Sequence, residues 1–299
     1  MEEGPNLAVI GLGLMGSRMA RHLTLRGFHV RGFDPDTDRM AELTTYGGEP
    51  AGSPADAVAG CWAALLSLPN SDVSREVCLG DDGISASDNS GLLVYDATTG
   101  RPADAVAIAA DLHEVGITYC DATVSGNGEI AERGELVVMV GGPEDAYHRG
   151  VPIFEAIGRS HHHLGPTGSG STMKLLVNQT LTIHRMALAE TLVVAEMADL
   201  DLDATIAVLR DSLAYSKAMD VWGDRMITGD HEPPYARLRQ SNKDAKLIVD
   251  QARSLGAPAD LVEVVAAALS EGEADGLGDL DNSSIMEVVR RRAGIGRVQ

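Results

Sequence analysis

The sequence predicts a chain in two parts: an α/β domain built on a largely parallel sheet, then an all-helical domain. Two observations carry this. In the first half, short β-branched runs alternate with amphipathic helical stretches, the pattern of parallel strands joined by crossover helices and covered on both faces. After His161-His162-His163-Leu164 the alternation stops. The segment Gly165-Pro166-Thr167-Gly168-Ser169-Gly170 then marks a break beyond which no strand is recognisable. A chain of 299 residues has room for two domains, and we expect them at 1–164 and 165–299.

The expected strands are Leu7–Ile10, His29–Phe33, Ala63–Ser67, Leu92–Asp96, Thr118–Ala122 and Leu136–Val140. Between them, helices are expected at Met15–Arg26, Thr37–Thr45, Val73–Leu79, Pro102–Glu114 and Pro143–Ala156. The second part opens with a long helix, Ser171–Asp199, uninterrupted by Gly or Pro. Helices over Asp203–Leu213, Met219–Thr228, Asn242–Leu255, Asp260–Glu271 and Ser284–Arg292 follow. The Asp- and Gly-rich stretch Gly272–Asp281 reads as a loop. The His triplet reads as a solvated strand end, because three adjacent histidines cannot all point at one metal.

Apolar residues make up 44% of the chain and charged residues 23%, the balance of an ordinary globular protein. No window approaches the roughly 20 uninterrupted apolar residues of a membrane span. The acidic start Met1-Glu2-Glu3-Gly4-Pro5 lacks the pattern of a signal peptide. A net charge of −20 argues against nucleic acid or an anionic membrane as partner. It does not exclude a dinucleotide, since backbone N–H groups and a helix dipole hold phosphates without net positive charge. Cys61, Cys78 and Cys120 follow no metal spacing and read as reduced thiols, so we expect no metal and a cytoplasmic location.

Gly11-Leu12-Gly13-Leu14-Met15-Gly16 follows an apolar strand and opens an amphipathic helix. That is the context in which G-x-G-x-x-G marks a Rossmann-type dinucleotide site. Gly11 makes the tight turn, Gly13 lets backbone approach a pyrophosphate, and Gly16 lets helix pack against strand. The second strand ends at Asp34, placed to accept the ribose hydroxyls of an adenosine and to repel a 2′-phosphate. Pro35 and Asp36 bring no cation for that phosphate, so the expected cofactor is NAD rather than NADP. Asp34 can serve at the same time as the cap of the following helix.

Lys174 and Asn178 lie four apart near the start of the long helix and share one face. Taken from this helix alone, a snorkelling surface lysine is the plainer reading of Lys174. The wider pattern points further. The chain resembles the β-hydroxyacid dehydrogenases, which include 3-hydroxyisobutyrate dehydrogenase, through five separated motifs. These are Gly11–Gly16; Asp121-Ala122-Thr123-Val124-Ser125-Gly126 with Gly134-Glu135-Leu136 and Met139-Val140-Gly141-Gly142; Gly168-x-Gly170-x-x-x-Lys174-x-x-x-Asn178; Lys243-Asp244; and Gly278-Asp279-Leu280-Asp281 with Ser283.

The resemblance implies that Lys174 is the catalytic lysine and Asn178 orients the substrate. It implies that Ser125 and Gly126 bind the substrate carboxylate, and that Leu68, Pro69, Asn70, Thr98 and Thr99 lie along the cofactor. Lys243 would reach the cofactor, with Asp244 bracing the site. The chain departs from the pattern at Thr123 in place of proline and at Asn127 in place of a second glycine. It also departs at Ala236 in place of phenylalanine, with Tyr235 adjacent, and at Asp199 where glycine usually ends the helix. The first three bear on the substrate, and Asn127 is expected to contact its carboxylate or a polar group beside it.

The reaction so implied interconverts a small 3-hydroxy acid and its oxo acid or semialdehyde. Lys174 removes the hydroxyl proton on oxidation and returns it on reduction. A lysine with pKa about 10.4 is a poor base at neutral pH. Desolvation in a closed cleft and repulsion from a cationic nicotinamide would both lower it. An imine reductase of the same plan is the alternative enzyme, but that group carries Asp or Tyr at the position of Lys174. A non-catalytic dinucleotide-binding module is the other alternative, disfavoured by Lys174, Asn178 and Ser125 together. The apolar length of Ser171–Asp199 predicts a homo-oligomer, dimer or tetramer.

Overall fold

The computed structural model describes residues 5–296; the acidic start Met1–Gly4, read above for its lack of a signal pattern, lies outside them. The chain forms two compact units, Met1–Lys174 and Leu175–Gln299.

The first unit runs β1 (Asn6–Ile10), α1 (Gly16–Leu25), β2 (His29–Phe33), α2 (Thr37–Thr45), β3 (Glu49–Pro50), α3 (Pro54–Val58), β4 (Ala63–Leu66), α4 (Ser71–Leu79), β5 (Leu93–Asp96), α5 (Pro102–His113), β6 (Thr118–Ser125), α6 (Gly128–Glu132), β7 (Leu136–Gly141), α7 (Glu144–Ile157) and β8 (Gly158–His163). The eight strands form one sheet in the order β3-β2-β1-β4-β5-β6-β7-β8. All neighbours are parallel except β6 and β7. Strand order reverses between β1 and β4, the position where open α/β sheets leave a crevice at the carboxyl ends of their strands.

Burial follows from this topology. On β1, Leu7 and Val9 join a core on one face with Met19, Leu23 and Phe154, while Ala8 and Ile10 join a second core on the other with Leu66, Ile84 and Ile108. Both faces are covered, so the central strands are apolar at successive positions rather than alternately. The three cysteines are free and buried, and burial pushes each thiol pKa up, to about 11 for Cys61 and about 12 for Cys120.

The second unit is helical: the greater part of α8 (Ser169–Met197), then α9 (Leu202–Asp211), α10 (Lys217–Thr228), α11 (Leu238–Ser254), α12 (Asp260–Gly272) and α13 (Ile285–Arg292). Its core gathers Leu188, Leu192, Trp222, Met226, Leu238, Ile248, Leu269 and Met286. α8 ends at Met197, and Asp199 takes a positive φ of 55°, the left-handed conformation that glycine more often supplies.

Several expectations need correction. β3, α3 and α6 were not foreseen, being only 2, 5 and 5 residues long, too short for a hydrophobic period to show. The His triplet closes β8, as a strand end, with His162 exposed and its two neighbours half-buried: His161 Nδ1 shares a hydrogen bond of 2.7 Å with the Tyr147 hydroxyl, and His163 Nε2 is 2.8 Å from the Gly142 carbonyl oxygen. The expected loop Gly272–Asp281 instead begins with a widened helical turn, Glu273–Leu277, continuing α12 until Gly276 takes a φ of 82°. Glu273 is held there by the side-chain amide of Asn242 at 2.5 Å.

Beyond that turn, fully buried Asp281 accepts N–H groups from Tyr235 (2.7 Å), Ala236 (3.3 Å) and Ser283 (2.9 Å), with Arg225 Nη1 at 3.8 Å. Removing this carboxylate strands several buried donors and one guanidinium. Asp281→Ala should therefore destabilise the second unit by about 3–5 kcal/mol. Denaturation followed by Trp222 emission in a Trp62→Phe background would show it as a lowered midpoint, and an unchanged midpoint would contradict the account.

Candidate active site

The glycine-rich turn sits at the strand-order reversal. Gly11 has a φ of 87°, and a Cβ there would lie 2.3 Å from the Ser67 carbonyl oxygen just past β4. A Cβ on Gly16 would lie 1.8 Å from the Gly11 carbonyl oxygen, so only glycine lets α1 start this close to the turn. The space over Gly13 is more open, its nearest neighbour being Arg39 Nη1 at 3.4 Å from a built Cβ. No side chain caps α1 and no acidic residue lies in its first turn. Asp36, Ser53, Asn70 and Asn127 cap α2, α3, α4 and α6, while α5 and α7, like α1, have no side-chain cap. The donors at the start of α1, with Leu12, Leu14 and Met15 alongside, therefore fit the phosphates of a dinucleotide.

Asp34 is buried at the end of β2. Its carboxylate accepts the Leu12 N–H at 2.7 Å and the Asp36 N–H at 3.0 Å. It does not cap α2; Asp36 does, through the Asp38 N–H. Arg39 Nη1 lies 3.3 Å from Asp34 Oδ2. That cation was missed in the sequence because it arrives one helical turn beyond Pro35-Asp36. The loops after β4 and β5 are joined, with the Leu68 N–H donating to the Thr98 hydroxyl at 3.0 Å. Asn70 accepts the Val73 N–H, and half-buried Thr99 and exposed Pro69 complete this rim.

β6 ends at half-buried Ser125, and Gly126 follows with a φ of 152°. A Cβ on Gly126 would lie 2.6 Å from Leu136 Cδ2. Asn127 spends its side-chain oxygen on the Ile130 N–H at 3.0 Å, which leaves its amide NH2 as the group that can donate outward. Thr123, one of the departures expected to bear on the substrate, is turned toward the first turn of α8. It is fully buried, and its hydroxyl donates to the Gly170 carbonyl at 2.9 Å.

The start of α8 is seated on β6 and β7. Asp121 accepts the Gly168 N–H at 2.8 Å and the Ser171 N–H at 2.6 Å. A Cβ on Gly141 would come within 2.6 Å of the Asp121 carboxylate, and one on Gly170 within 2.3 Å of the Asp121 carbonyl oxygen. Half-buried Lys174 stands in the second turn of the helix so anchored. In the second unit, Asn178 donates to Asp244 Oδ2 at 2.9 Å, and Lys243 Nζ lies 3.5 Å from Asp244 Oδ1. Asp244 thus braces Asn178. Arg185 is buried on the same helix, over the Trp222 ring at 4.8 Å and bonded to Thr182 and Ser241. Burial lowers its pKa to about 10. Tyr235, beside Ala236, lies under the Arg225 guanidinium at 4.1 Å.

A Rossmann-type sheet with a glycine turn, an uncapped first helix and a buried carboxylate at the end of β2 is the architecture of a dinucleotide-binding domain. Residues 6–165 match the NAD binding domain of 6-phosphogluconate dehydrogenase, and residues 168–289 match the family described as NAD-binding of NADP-dependent 3-hydroxyisobutyrate dehydrogenase. The 3-sulfolactaldehyde reductase of Escherichia coli is 31% identical over 97% of each chain. The NAD-dependent L-serine dehydrogenase of Pseudomonas aeruginosa is 34% identical over 72% of each. A solved structure of Mycobacterium tuberculosis 3-hydroxyisobutyrate dehydrogenase with L-serine aligns with a TM-score of 0.88 at 27% identity, covering 96% of this chain and 99% of that one. The chain belongs to the β-hydroxyacid dehydrogenases, NAD(P)-dependent enzymes acting on CH–OH groups. Solved imine reductases are more distant, 18–21% identical with TM-scores of 0.63–0.64, a likeness of fold alone.

Burial raises the Asp121 pKa to about 6, against the opposing pull of the Ser171 and Gly168 N–H groups. A raised carboxyl contributes stability that is fully present below its unfolded pKa near 4 and lost as pH rises through about 6. The loss amounts to about 3 kcal/mol. Asp121→Asn keeps one acceptor oxygen and has no such titration. Its stability deficit against wild type should therefore be largest near pH 4 and shrink toward pH 7. A deficit independent of pH in denaturant titrations would refute the assignment.

Proposed function

We propose that this chain interconverts a small 3-hydroxy acid and its oxo acid or semialdehyde, with NAD as cofactor and Lys174 as general acid and base. One observation carries the reading. The helix bearing Lys174 begins bonded to β6, the same strand whose far end presents Ser125 and Gly126. NAD supplies the hydride acceptor when bound. Ser125 and the Gly126 N–H hold the substrate carboxylate, Asn127 donates its amide beside them, and Asn178, braced by Asp244, orients the hydroxyl. Lys174 takes the hydroxyl proton on its Nζ in oxidation and gives it back in reduction. Residues 1–164 hold the dinucleotide through Gly11–Gly16, Asp34, Leu68–Asn70 and Thr99, while 165–299 supply substrate and subunit contacts, with Lys243 reaching the cofactor.

Relatives that reduce 3-sulfolactaldehyde and oxidise L-serine support a small hydroxy acid or aldehyde as substrate. Exposed Val194, Met197, Leu200, Val208 and Leu213 support a homo-oligomer formed through the helical unit. No helix among the described residues is long and apolar enough to cross a membrane. Among the same residues no group of three or more His, Cys, Asp or Glu could hold a metal ion. The reading places the enzyme in the cytoplasm.

Two measurements test this. Lys174→Ala should leave NADH binding nearly intact and lower turnover by about 10²–10⁴ on a panel including 3-hydroxyisobutyrate, L-serine and glycerate. Lys174→Arg should rescue little, because a guanidinium keeps the charge but cannot act as base. In wild type, oxidation should quicken with rising pH as Lys174 deprotonates, and that limb should vanish in the Ala variant. Near wild-type turnover of the Ala variant would remove Lys174 from the chemistry.

For the cofactor, Asp34→Ser with Pro35→Arg should move preference from NAD toward NADP. Arg39→Ala should weaken whatever NADP use the wild type retains, because it removes the cation beside Asp34. A wild type that already prefers NADP would overturn the role given to Asp34.

A further inference from the structure

Asp121 and Thr123 stand two residues apart on β6, so their side chains leave the same face of the strand. Both reach the first turn of α8. Asp121 takes two N–H groups there, from Gly168 and Ser171. Thr123 takes the opposite kind of group: its Oγ1 donates to the carbonyl oxygen of Gly170 at 2.9 Å, with a longer contact of 3.4 Å to the Met139 carbonyl on β7. Helical spacing directs the N–H of Lys174 at that same Gly170 carbonyl. The Thr123 hydroxyl and the Lys174 amide therefore meet at one oxygen.

The two Asp121 bonds hold the start of α8 through N–H groups on either side of Gly170. The Thr123 bond adds a third point, at a residue between the other two and of opposite polarity, and three such points fix a helix end in orientation. Glycine at 170 brings the carbonyl close enough, since a Cβ there would lie 2.6 Å from the Met139 carbonyl oxygen. Thr123 is fully buried, so its hydroxyl has no solvent alternative.

We propose that Thr123 is a positioning residue for Lys174: its hydroxyl fixes the rotation of the first turn of α8 and so sets where the Lys174 amine lies. The proposal rests on the acid–base role assigned to Lys174 above. It also gives the departure from proline at this position a function that does not involve the substrate.

The test uses the full chain with Thr123→Val, which keeps the shape and removes the hydroxyl, and Thr123→Ser, which keeps the hydroxyl. Turnover with 3-hydroxyisobutyrate and L-serine should fall on the order of 10- to 100-fold in the Val variant, the effect of a small misplacement of a reacting group. NADH binding, read by fluorescence, should stay within about twofold, because α1 and its turn are untouched. The Ser variant should recover most of the loss. Independently of turnover, the pH dependence of Lys174 acetylation by acetic anhydride, read by mass spectrometry, should shift by about half a unit or more in Val and not in Ser. Where Val does not fold, Thr123→Ala removes the same hydroxyl without setting a methyl against the carbonyl. Unchanged turnover and unchanged labelling in a folded Val or Ala variant would overturn the proposal. Shifted labelling in a chain whose Lys174→Ala variant retains full turnover would leave Thr123 positioning the amine and remove only the acid–base reading.

Discussion

A buried carboxylate holds the amino end of the long helix to the sheet, and the candidate site depends on that junction. Asp121 meets two N–H groups that the start of α8 leaves without helical partners. The strand carrying Asp121 continues to Ser125 and Gly126, and the helix it caps continues to Lys174. One short piece of structure thus links the Ser125–Gly126 loop to the Lys174 amine. Gly141 and Gly170 make the approach possible, because any side chain at either would collide with Asp121. An ionised group buried this deeply is costly, which is why burial raises its pKa to about 6 even with two donors in place.

The dinucleotide side of the site solves a different problem. A chain of net charge −20 has little long-range attraction for an anion. What it offers instead is local: an uncapped helix start, an open backbone face over Gly13, and a turn made tight by Gly11 and Gly16. α1 has no side-chain cap and no acidic residue in its first turn, and its start stands directly on the glycine turn. Asp34 is tied to the same turn through the Leu12 N–H, so the carboxylate ending β2 and the glycine turn form one unit.

Much of this was legible in the sequence. Gly11–Gly16, the strands flanking it and Asp34 could be read directly, because a positive φ, a close approach and a strand end are demands made within a few residues. Asp199 could be read in the same way, standing where a left-handed residue ends α8. The start of α8 could not be placed to the residue: its cap comes from Asp121, 47 positions before Gly168. Thr123 carried the same ambiguity. A threonine in an otherwise apolar strand can face a substrate, the core or another backbone, and only the partner oxygen of Gly170 decides among them.

The sequence by itself determined the parallel sheet, the glycine turn, the carboxylate that ends β2 and the order of the helices, since each rests on local periodicity or on a backbone conformation that few residues allow. It also held the family resemblance, spread over five motifs. Tertiary structure alone decided the partners joined across long separations: Asp121 with Gly168 and Ser171, Thr123 with Gly170, and Asn178 with Asp244. It also made β8 an edge strand despite its polar sequence, because backbone pairing to β7 and the Tyr147–His161 bond need no apolar alternation. A hydrogen bond depends on where two groups meet in space, and a residue type records only that it can donate or accept.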